Sequence, residues 1–272
     1  IPISMARMKV VIGNKVIYLI GGYNGNALNT VYYAPINSDG TIGNWSITTN
    51  LPISLYYTQV YINKSRIYVI GGLSSNSVNS VYYAPINSDG TLGSWVTDVS
   101  LPISVSQSQI VFTGSYIYLL GGYSTGPLNT VYYAPINSNG SLGVWTSGSN
   151  LPVAIYGHQV YVTTNYVYII GGNNSTSVYY APINSNGTIG SWNNATNLPI
   201  AITGAQIAAT KSNLYLIGNT SSNVIYSVTT NTGKNDYSMY YDYSRLVSNT
   251  QFALPDFTSK SPNSSLSYYI KT

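Results

Sequence analysis

The sequence predicts an all-β protein built from repeated units of about 50 residues, each supplying four antiparallel strands. One observation is the block VYYAPINSDGTIGNW at positions 31–45, which returns with few changes at 81–95, 131–145 and 178–192. Another is the spacing of the prolines: Pro2, Pro52, Pro102 and Pro152 lie 50 residues apart, and Pro199 follows after 47. The third is a Gly-Gly doublet that ends an apolar run in each of the first four units. One supersecondary unit is therefore used repeatedly.

The four strands of a unit follow in a fixed order, and the second unit shows it. Residues 56–63, YYTQVYIN, alternate loosely, and residues 66–72, RIYVIGG, form a β-branched and aromatic run that stops at the glycines. Residues 80–86, SVYYAPI, lead into the turn sequence NSDG, and a short fourth strand is expected around Trp95. Four antiparallel strands in about 50 residues is the size of one β-propeller blade.

Two tyrosines stand side by side on the predicted third strand of each of the first four units. Adjacent strand residues face opposite sides of a sheet, so one tyrosine is expected to pack against the preceding blade and its neighbour against the following one. The tryptophan that ends each block recurs in the same way, and both columns are expected to be structural. These residues are Tyr32, Tyr33, Tyr82, Tyr83, Tyr132, Tyr133, Tyr179, Tyr180, Trp45, Trp95, Trp145 and Trp192.

These features resemble the Kelch-repeat, galactose-oxidase-like β-propellers. The resemblance rests on the glycine doublets, the tyrosine before each doublet, the later tryptophan, and the Pro-x-x-x-x-Gly-His pattern from Pro152 to His158. It implies five Kelch-like blades at residues 1–50, 51–100, 101–150, 151–197 and 198–244. The doublets are Gly21-Gly22, Gly71-Gly72, Gly121-Gly122 and Gly171-Gly172.

The number of blades is less regular than the repeat itself. In the fifth unit Gly218-Asn219 replaces the doublet, and no tryptophan follows Tyr226. Residues 245–272 are interpreted as a degenerate C-terminal segment, either part of a sixth blade or an extension. Because an open ring leaves exposed strand edges, a six-bladed ring with a partial or composite last blade is favoured. A closed five-bladed ring is the alternative.

Composition indicates an extracellular or virion-surface protein. Only 6% of the residues are charged, against about a quarter in a typical soluble domain, and Glu is absent. The ten basic residues are scattered, so the dense basic stripe that nucleic-acid binding needs is missing and no nucleic-acid partner is expected. No apolar run reaches the roughly 20 residues that span a bilayer, so this segment is not expected to insert into a membrane.

Candidate catalytic and metal-binding groups are scarce. Asp39 and Asp89 lie in NSDG turns where later units carry Asn139 and Asn186, so a role in turn geometry is expected rather than proton transfer. With one His and no Cys, a zinc or copper site is not expected, nor any other cofactor. The protein is therefore predicted not to be an enzyme.

The repeats diverge at one end of the predicted blades, in the loops after the glycine doublets and in the segments that enter the first strands. Variation on one face of a repeat array is where asymmetric recognition can be built, and tyrosine offers flat apolar area with a hydroxyl group. The opposite NSDG turns are nearly uniform. The candidate ligand-binding residues are Arg7, Tyr23, Tyr56, Tyr57, Gln107, Tyr123, Tyr156 and His158.

These features predict an attachment or receptor-binding propeller whose partner is a host-surface glycan or glycoprotein. The low charge and the abundance of Tyr, Asn, Ser and Thr resemble surface proteins of archaea and their viruses, such as tail-spike adsorption proteins. A structural subunit of a surface filament or coat, partnered by other virion or surface subunits, is the alternative. A degenerate glycan-active enzyme is a third interpretation. Homo-oligomerisation through a stalk outside this chain is compatible with the first two.

Overall fold

The computed structural model describes residues 3–13, 15–63, 65–209, 213–219, 222–229 and 240–241. Over these residues the protein consists of five four-stranded antiparallel sheets, and in each sheet the strands lie side by side in chain order. Within this described part, no helix is long and apolar enough to cross a membrane.

Four of the sheets share one plan. The first contains β1 (Lys9–Gly13), β2 (Val16–Ile20), β3 (Val31–Pro35) and β4 (Ser46–Ile47). The second contains β5 (Gln59–Ile62), β6 (Arg66–Ile70), β7 (Val81–Pro85) and β8 (Val96–Thr97). The third contains β9 (Gln109–Phe112), β10 (Tyr116–Leu120), β11 (Val131–Pro135) and β12 (Thr146–Ser147). The fourth contains β13 (Gln159–Val162), β14 (Tyr166–Ile170), β15 (Val178–Pro182) and β16 (Asn193–Asn194).

The fifth sheet is less regular. It contains β17 (Gln206–Ala209), β18 (Asn213–Asn219), β19 (Ser222–Thr229) and β20 (Tyr240–Tyr241). The register between β18 and β19 shifts between Ile217 and Asn219, at the eroded glycine doublet. The described residues thus form four regular blades and one looser four-stranded sheet, rather than the six blades that the sequence analysis favoured. Residues 245–272, which were expected to supply part of a sixth blade, lie outside the described residues.

The sheets are arranged as the blades of a β-propeller. The first strands of successive sheets are neighbours, with β1 beside β5, β5 beside β9, β9 beside β13 and β13 beside β17. These strands are therefore the innermost ones, around a common axis. Because the strands are antiparallel, the loops after the doublets and the segments before the first strands share one end of the blades, called the mouth. The turns between third and fourth strands lie at the other end, called the turn end.

The hydrophobic core lies between blades rather than within one. One buried cluster joins Tyr68 and Val81 of the second blade to Leu101 and Ile117 of the third. The second tyrosine of a pair, such as Tyr83, packs into the cluster shared with the following blade. The first tyrosine, such as Tyr132 in the third blade or Tyr179 in the fourth, packs into the cluster shared with the preceding blade. The pair of the third blade, Tyr132 and Tyr133, reaches the clusters on both sides, as the sequence predicts.

The tryptophans pack toward the preceding blade. Trp95 lies against the cluster between the first two blades, and Trp145 and Trp192 take the same place at the next two junctions. The indole Nε1–H of Trp95 donates to the Thr49 carbonyl at 2.9 Å, across the junction between blades. The repeated tryptophan is therefore structural, as predicted.

The glycine doublets dock each blade onto the next. The N–H of Gly22 donates to the Leu55 carbonyl of the second blade at 2.8 Å. Gly21 has φ +60°, and a Cβ on it would lie 2.2 Å from that same carbonyl oxygen. Only glycine allows so close an approach in a left-handed conformation. The same bond recurs at the next three junctions, from Gly72 to Val105, Gly122 to Ile155 and Gly172 to Ile202.

The turns at the turn end are held by side-chain hydrogen bonds that repeat from blade to blade. The Asp39 carboxylate accepts hydrogen bonds from the backbone N–H of Thr41 at 2.9 Å and from its hydroxyl at 2.6 Å. These two bonds hold the pKa of Asp39 below its ordinary value. Asn139 makes the same two contacts to Ser141, at 3.0 and 2.8 Å. An amide oxygen thus replaces a carboxylate oxygen, which confirms a turn-forming role for this position.

Replacing Tyr18 by phenylalanine is expected to lower the free energy of unfolding by about 1–2 kcal/mol, because a buried carbonyl group loses its partner. The Tyr18 hydroxyl donates to the Gly90 carbonyl of the next blade at 2.7 Å. Urea unfolding of Tyr18→Phe against Tyr32→Phe measures the effect, since no hydrogen bond of the Tyr32 hydroxyl is found within the described residues. Equal stability of the two variants would contradict this role.

Candidate functional site

The mouth is organised by one column of residues just before the innermost strands. All five have a left-handed backbone, which side chains other than glycine adopt rarely. From the second blade to the fifth, the N–H of this residue donates to the carbonyl of the equivalent residue in the preceding blade, so a line of main-chain bonds runs from blade to blade. The φ angles are Arg7 59°, Tyr57 54°, Gln107 52°, Gly157 61° and Gly204 71°. The N–H to oxygen distances are 3.1 Å for Tyr57 to Arg7, 3.3 Å for Gln107 to Tyr57, 3.3 Å for Gly157 to Gln107 and 2.9 Å for Gly204 to Gly157.

The first two blades meet in an aromatic cluster, called pad one, of Arg7, Tyr23, Tyr56 and Tyr57. The ring centroids of Tyr23 and Tyr56 are 5.1 Å apart, and those of Tyr56 and Tyr57 are 5.3 Å apart. The guanidinium carbon of Arg7 lies 5.3 Å from the Tyr23 centroid, 5.9 Å from Tyr56 and 5.2 Å from Tyr57. These distances are within the range of cation–π attraction. Four of the predicted residues are therefore brought together.

Pad one is positioned by main-chain pairing. Tyr23 follows the first glycine doublet and exchanges two backbone hydrogen bonds with Ala6, at 2.8 and 2.9 Å. Tyr56 pairs in the same way with Leu73 in its own blade, at 3.0 and 2.8 Å. The tyrosine after one blade's doublet thus meets the tyrosine that enters the next blade.

Pad two is the equivalent contact between the third and fourth blades. Tyr123 and Tyr156 have ring centroids 5.3 Å apart with an interplanar angle of 74°, an edge-to-face arrangement. At the junction between the pads, the corresponding positions are Leu73 and Ser106, so no aromatic pair forms there. Gln107 lies in the left-handed column between the pads. The predicted tyrosines therefore form two separate groups at the mouth.

A second polar column lies just below the left-handed one, at the first residue of each innermost strand. The Lys9 ammonium donates to the Gln59 side-chain oxygen at 2.8 Å. The Gln59 amide donates in turn to the Ser108 carbonyl at 2.7 Å, and the Gln109 amide to the His158 carbonyl at 3.0 Å. Burial lowers the pKa of Lys9, because removal from water disfavours the charged ammonium group. These bonds link one blade to the next around the axis.

This second column was not among the residues predicted for the site. Its members are Lys9, Gln59, Gln109, Gln159 and Gln206. Aligning the repeats on their prolines would have found it, since a glutamine recurs inside otherwise apolar strands. The same alignment shows that only the first blade carries a charge at this position.

His158, a ligand-binding candidate from the sequence, is enclosed in the structure rather than exposed at the mouth. Its side chain is fully buried, in register with the buried residues Thr58, Ser108 and Ala205. Neither ring nitrogen has a hydrogen-bond partner within the described residues, and burial lowers the pKa of His158 to about 3. A neutral imidazole is therefore enclosed beneath the mouth, without access to a ligand.

The described residues offer binding groups at the mouth rather than a set of acid, base or metal ligands. In this part of the chain, no group of three His, Cys, Asp or Glu side chains is placed to hold a metal ion. Asp39 and Asp89 occupy hairpin turns at the turn end. Asp98 follows β8, the outermost strand of the second blade, and its carboxylate accepts a bond from the N–H of Val99. The absence of enzymatic activity stays a prediction.

A groove of about 380 Å³ lies away from the mouth, between the third and fourth blades. Gly148 lines it at the position where the first blade has Thr48. None of the sequence-predicted site residues lines it. Its lining residues are Tyr118, Val131, Tyr133, Ser147, Gly148, Ser149, Thr188 and Ile189.

Comparisons with known proteins identify the fold but no family. No protein-family model matches the chain. A search of curated proteins also finds no match. Among solved structures, one described as "Structure of YjhT" is similar, with a TM-score of 0.65 and 14% sequence identity over 80% of this chain and 73% of that chain. At that identity the likeness extends to the fold alone, and by its fold this chain is a β-propeller.

Proposed function

We propose that this protein is a non-enzymatic Kelch-type propeller, displayed outside the cell or on a virion, that attaches to a glycan or protein on a host surface. The observation that carries the proposal is the presence of two tyrosine pads at the mouth, held in place by main-chain bonds between blades. The mouth is thus a preformed aromatic surface. Binding to a preformed surface requires little ordering of side chains.

A glycan is the favoured ligand because of what tyrosine offers. A phenol ring presents a flat apolar face to the C–H groups of a sugar, and its hydroxyl can bond to the sugar's hydroxyl groups. Tyrosine also loses little conformational entropy on binding, which is why it is common in binding surfaces built on loops. Tyr23, Tyr56 and Tyr57 are all partly exposed at pad one.

The contrast between the two ends of the propeller supports recognition at the mouth. At the turn end, each of the four blades repeats the same Asx-type turn with nearly the same contacts. At the mouth, the junctions alternate between tyrosine pairs and small or aliphatic residues. A repeated surface presents the same groups at every blade, whereas an irregular one can fit an asymmetric ligand.

Alanine at both Tyr56 and Tyr57 is expected to weaken binding to a panel of immobilised oligosaccharides by about tenfold or more, because each ring removed loses contact area. Tyr123→Ala/Tyr156→Ala tests pad two in the same way. The matched control is Phe112→Ala, since Phe112 is 49% exposed and contacts Tyr61, but lies at the turn end of β9.

Three outcomes decide this proposal. Loss of binding in either pad variant, with wild-type melting temperature and an unaffected Phe112 variant, supports recognition at the mouth. Unchanged binding in both pad variants contradicts it. Intact binding combined with loss of assembly into larger particles would instead favour the structural subunit of a filament or coat.

A further inference from the structure

Within the described residues, the positive charges found at the mouth belong to the first blade. Arg7 and Lys9 lie two residues apart at the start of that blade, in the left-handed column and in the polar column below it. At the equivalent positions the other four units carry neutral residues. These are Tyr57, Gln107, Gly157 and Gly204 in the left-handed column, and Gln59, Gln109, Gln159 and Gln206 in the polar column.

Among the described residues, the aspartate carboxylates lie away from the mouth. Asp39 and Asp89 are engaged by Thr41 and Thr91 in turns at the turn end. Asp98 lies beyond the outermost strand of the second blade. None of these three carboxylates has a hydrogen bond to Arg7 or Lys9. The positive charge of the mouth is therefore not neutralised by the described part of the protein.

The Arg7 side chain is held in place by its aromatic neighbours and not by an ion pair. The rings of Tyr23, Tyr56 and Tyr57 lie 5.2–5.9 Å from its guanidinium carbon. A guanidinium group has five N–H donors in its plane, and attraction to aromatic rings does not supply these donors with acceptors, so they remain for a ligand. Two parallel donors of this kind match the oxygens of a carboxylate or sulfate group.

Lys9 adds a second cationic donor below Arg7. Its ammonium group has three N–H donors, and one of them bonds to Gln59 at 2.8 Å. The lowered pKa of Lys9 arises from burial, with no compensating negative charge among its causes. A bound anion would supply that compensation, since an opposite charge nearby favours the charged form of a lysine.

We infer that pad one, with Arg7 and Lys9, selects an anionic glycan, in which a carboxylate or sulfate group pairs with Arg7 while a sugar ring lies on the neighbouring tyrosines. The inference rests on the proposed function, since it names the ligand class of the same mouth. It locates recognition at the junction of the first two blades, because pad two carries no cation at either column. Pad two, which has only tyrosine rings to offer, would contact uncharged parts of the same ligand.

The test compares three polymers with one backbone: neutral dextran, carboxymethyl-dextran and dextran sulfate, each immobilised and probed with the full chain. Wild-type protein is expected to bind one or both anionic polymers at least about tenfold more tightly than neutral dextran, and salt should weaken that preference by screening. The arm that binds more tightly distinguishes carboxylate from sulfate recognition.

The variants are chosen from the repeats themselves. Arg7→Gln introduces the residue that Gln107 carries at the same left-handed position, and Lys9→Gln introduces the residue of the other four units. Each is expected to reduce binding to the anionic polymer by about tenfold while leaving stability unchanged or higher. The control is Arg66→Gln, because Arg66 also lies over a tyrosine ring, 4.7 Å from the Tyr83 centroid, but at the turn end.

No preference of the wild type for either anionic polymer would overturn the inference. So would equal losses in Arg7→Gln and Arg66→Gln, which would indicate attraction to net charge alone. The tyrosine variants are scored separately on the oligosaccharide panel. If they lose binding while Arg7→Gln and Lys9→Gln keep it, the attachment function stands and the choice of an anionic ligand fails.

Discussion

Gly21→Ala is expected to lower the free energy of unfolding by at least about 3 kcal/mol, among the larger effects of a single substitution. The added Cβ would lie 2.2 Å from the Leu55 carbonyl oxygen, a main-chain atom of the next blade. That carbonyl also accepts the bond from Gly22, so relieving the clash disturbs the junction between the blades. The left-handed conformation of Gly21 adds roughly 1–2 kcal/mol for a residue with a side chain.

Gly25→Ala separates the clash from the backbone strain. Gly25 also has a positive φ, +107°, but nothing lies within 4 Å of the position of its Cβ. The loss of unfolding free energy in Gly25→Ala should therefore reflect backbone strain alone. Urea unfolding followed by tryptophan fluorescence compares the two variants. If Gly25→Ala is as damaging as Gly21→Ala, the doublet's close contact with the next blade does not control stability.

The second large effect is a loss of stability in acid caused by His158. The pKa of His158 is about 3 in the folded protein, below the ordinary value of 6.5, because its buried ring cannot be hydrated. The unfolded chain therefore takes up the proton first as the pH falls. The contribution of His158 is present above pH 6.5 and is lost progressively below it. At 1.36 kcal/mol per unit, the loss reaches about 3 kcal/mol by pH 4.

His158→Ser should flatten the stability profile between pH 6.5 and pH 4, because serine does not titrate there. Ser108 occupies the same column, so the residue is compatible with this position, and His158→Thr, which copies Thr58 of the second blade, serves if serine folds poorly. The quantity to compare is the slope of unfolding free energy against pH, since the substitution also changes packing at every pH.

Asp39→Asn/Asp89→Asn provides the control for the acid experiment. Hydrogen bonds from Thr41 and Thr91 lower the pKa of these carboxyl groups below 3.8, so their contribution to stability is lost only at lower pH than the histidine window. Asparagine stands at the same turn position in two other blades, so the turns should form. A slope between pH 6.5 and pH 4 that responds to this pair and not to His158→Ser would contradict the assignment.

Repetition made most of the fold predictable. The spacing of the prolines and the returning fifteen-residue block define the unit, and the tyrosine pairs indicate which sides of each blade are covered. The glycine doublets were recognised as strand ends, but their docking of the next blade depends on a contact across about 33 residues, from Gly22 to Leu55. The repeat decays in the fifth unit and in residues 245–272. The expectation of six blades therefore lacked the repeated motifs that supported the first four.

The candidate site was predictable in part. Divergence between repeats located Arg7 and the tyrosines at one end, and the structure brings four of these residues into pad one. Burial could not be derived from that comparison, and His158 proved to be enclosed. The repeating glutamine of the polar column headed by Lys9 was visible in the sequence, but its partners are main-chain carbonyls and a glutamine amide of other blades, contacts that the sequence does not specify.

The left-handed column at the mouth joins neighbouring blades through main-chain atoms only. Its five positions accept arginine, tyrosine, glutamine and glycine with the same backbone conformation and the same direction of bonding. An exchange of side chain there changes the chemistry exposed at the mouth without removing a bond that joins one blade to the next. Under the proposed attachment function, specificity at these positions can therefore diversify independently of the scaffold.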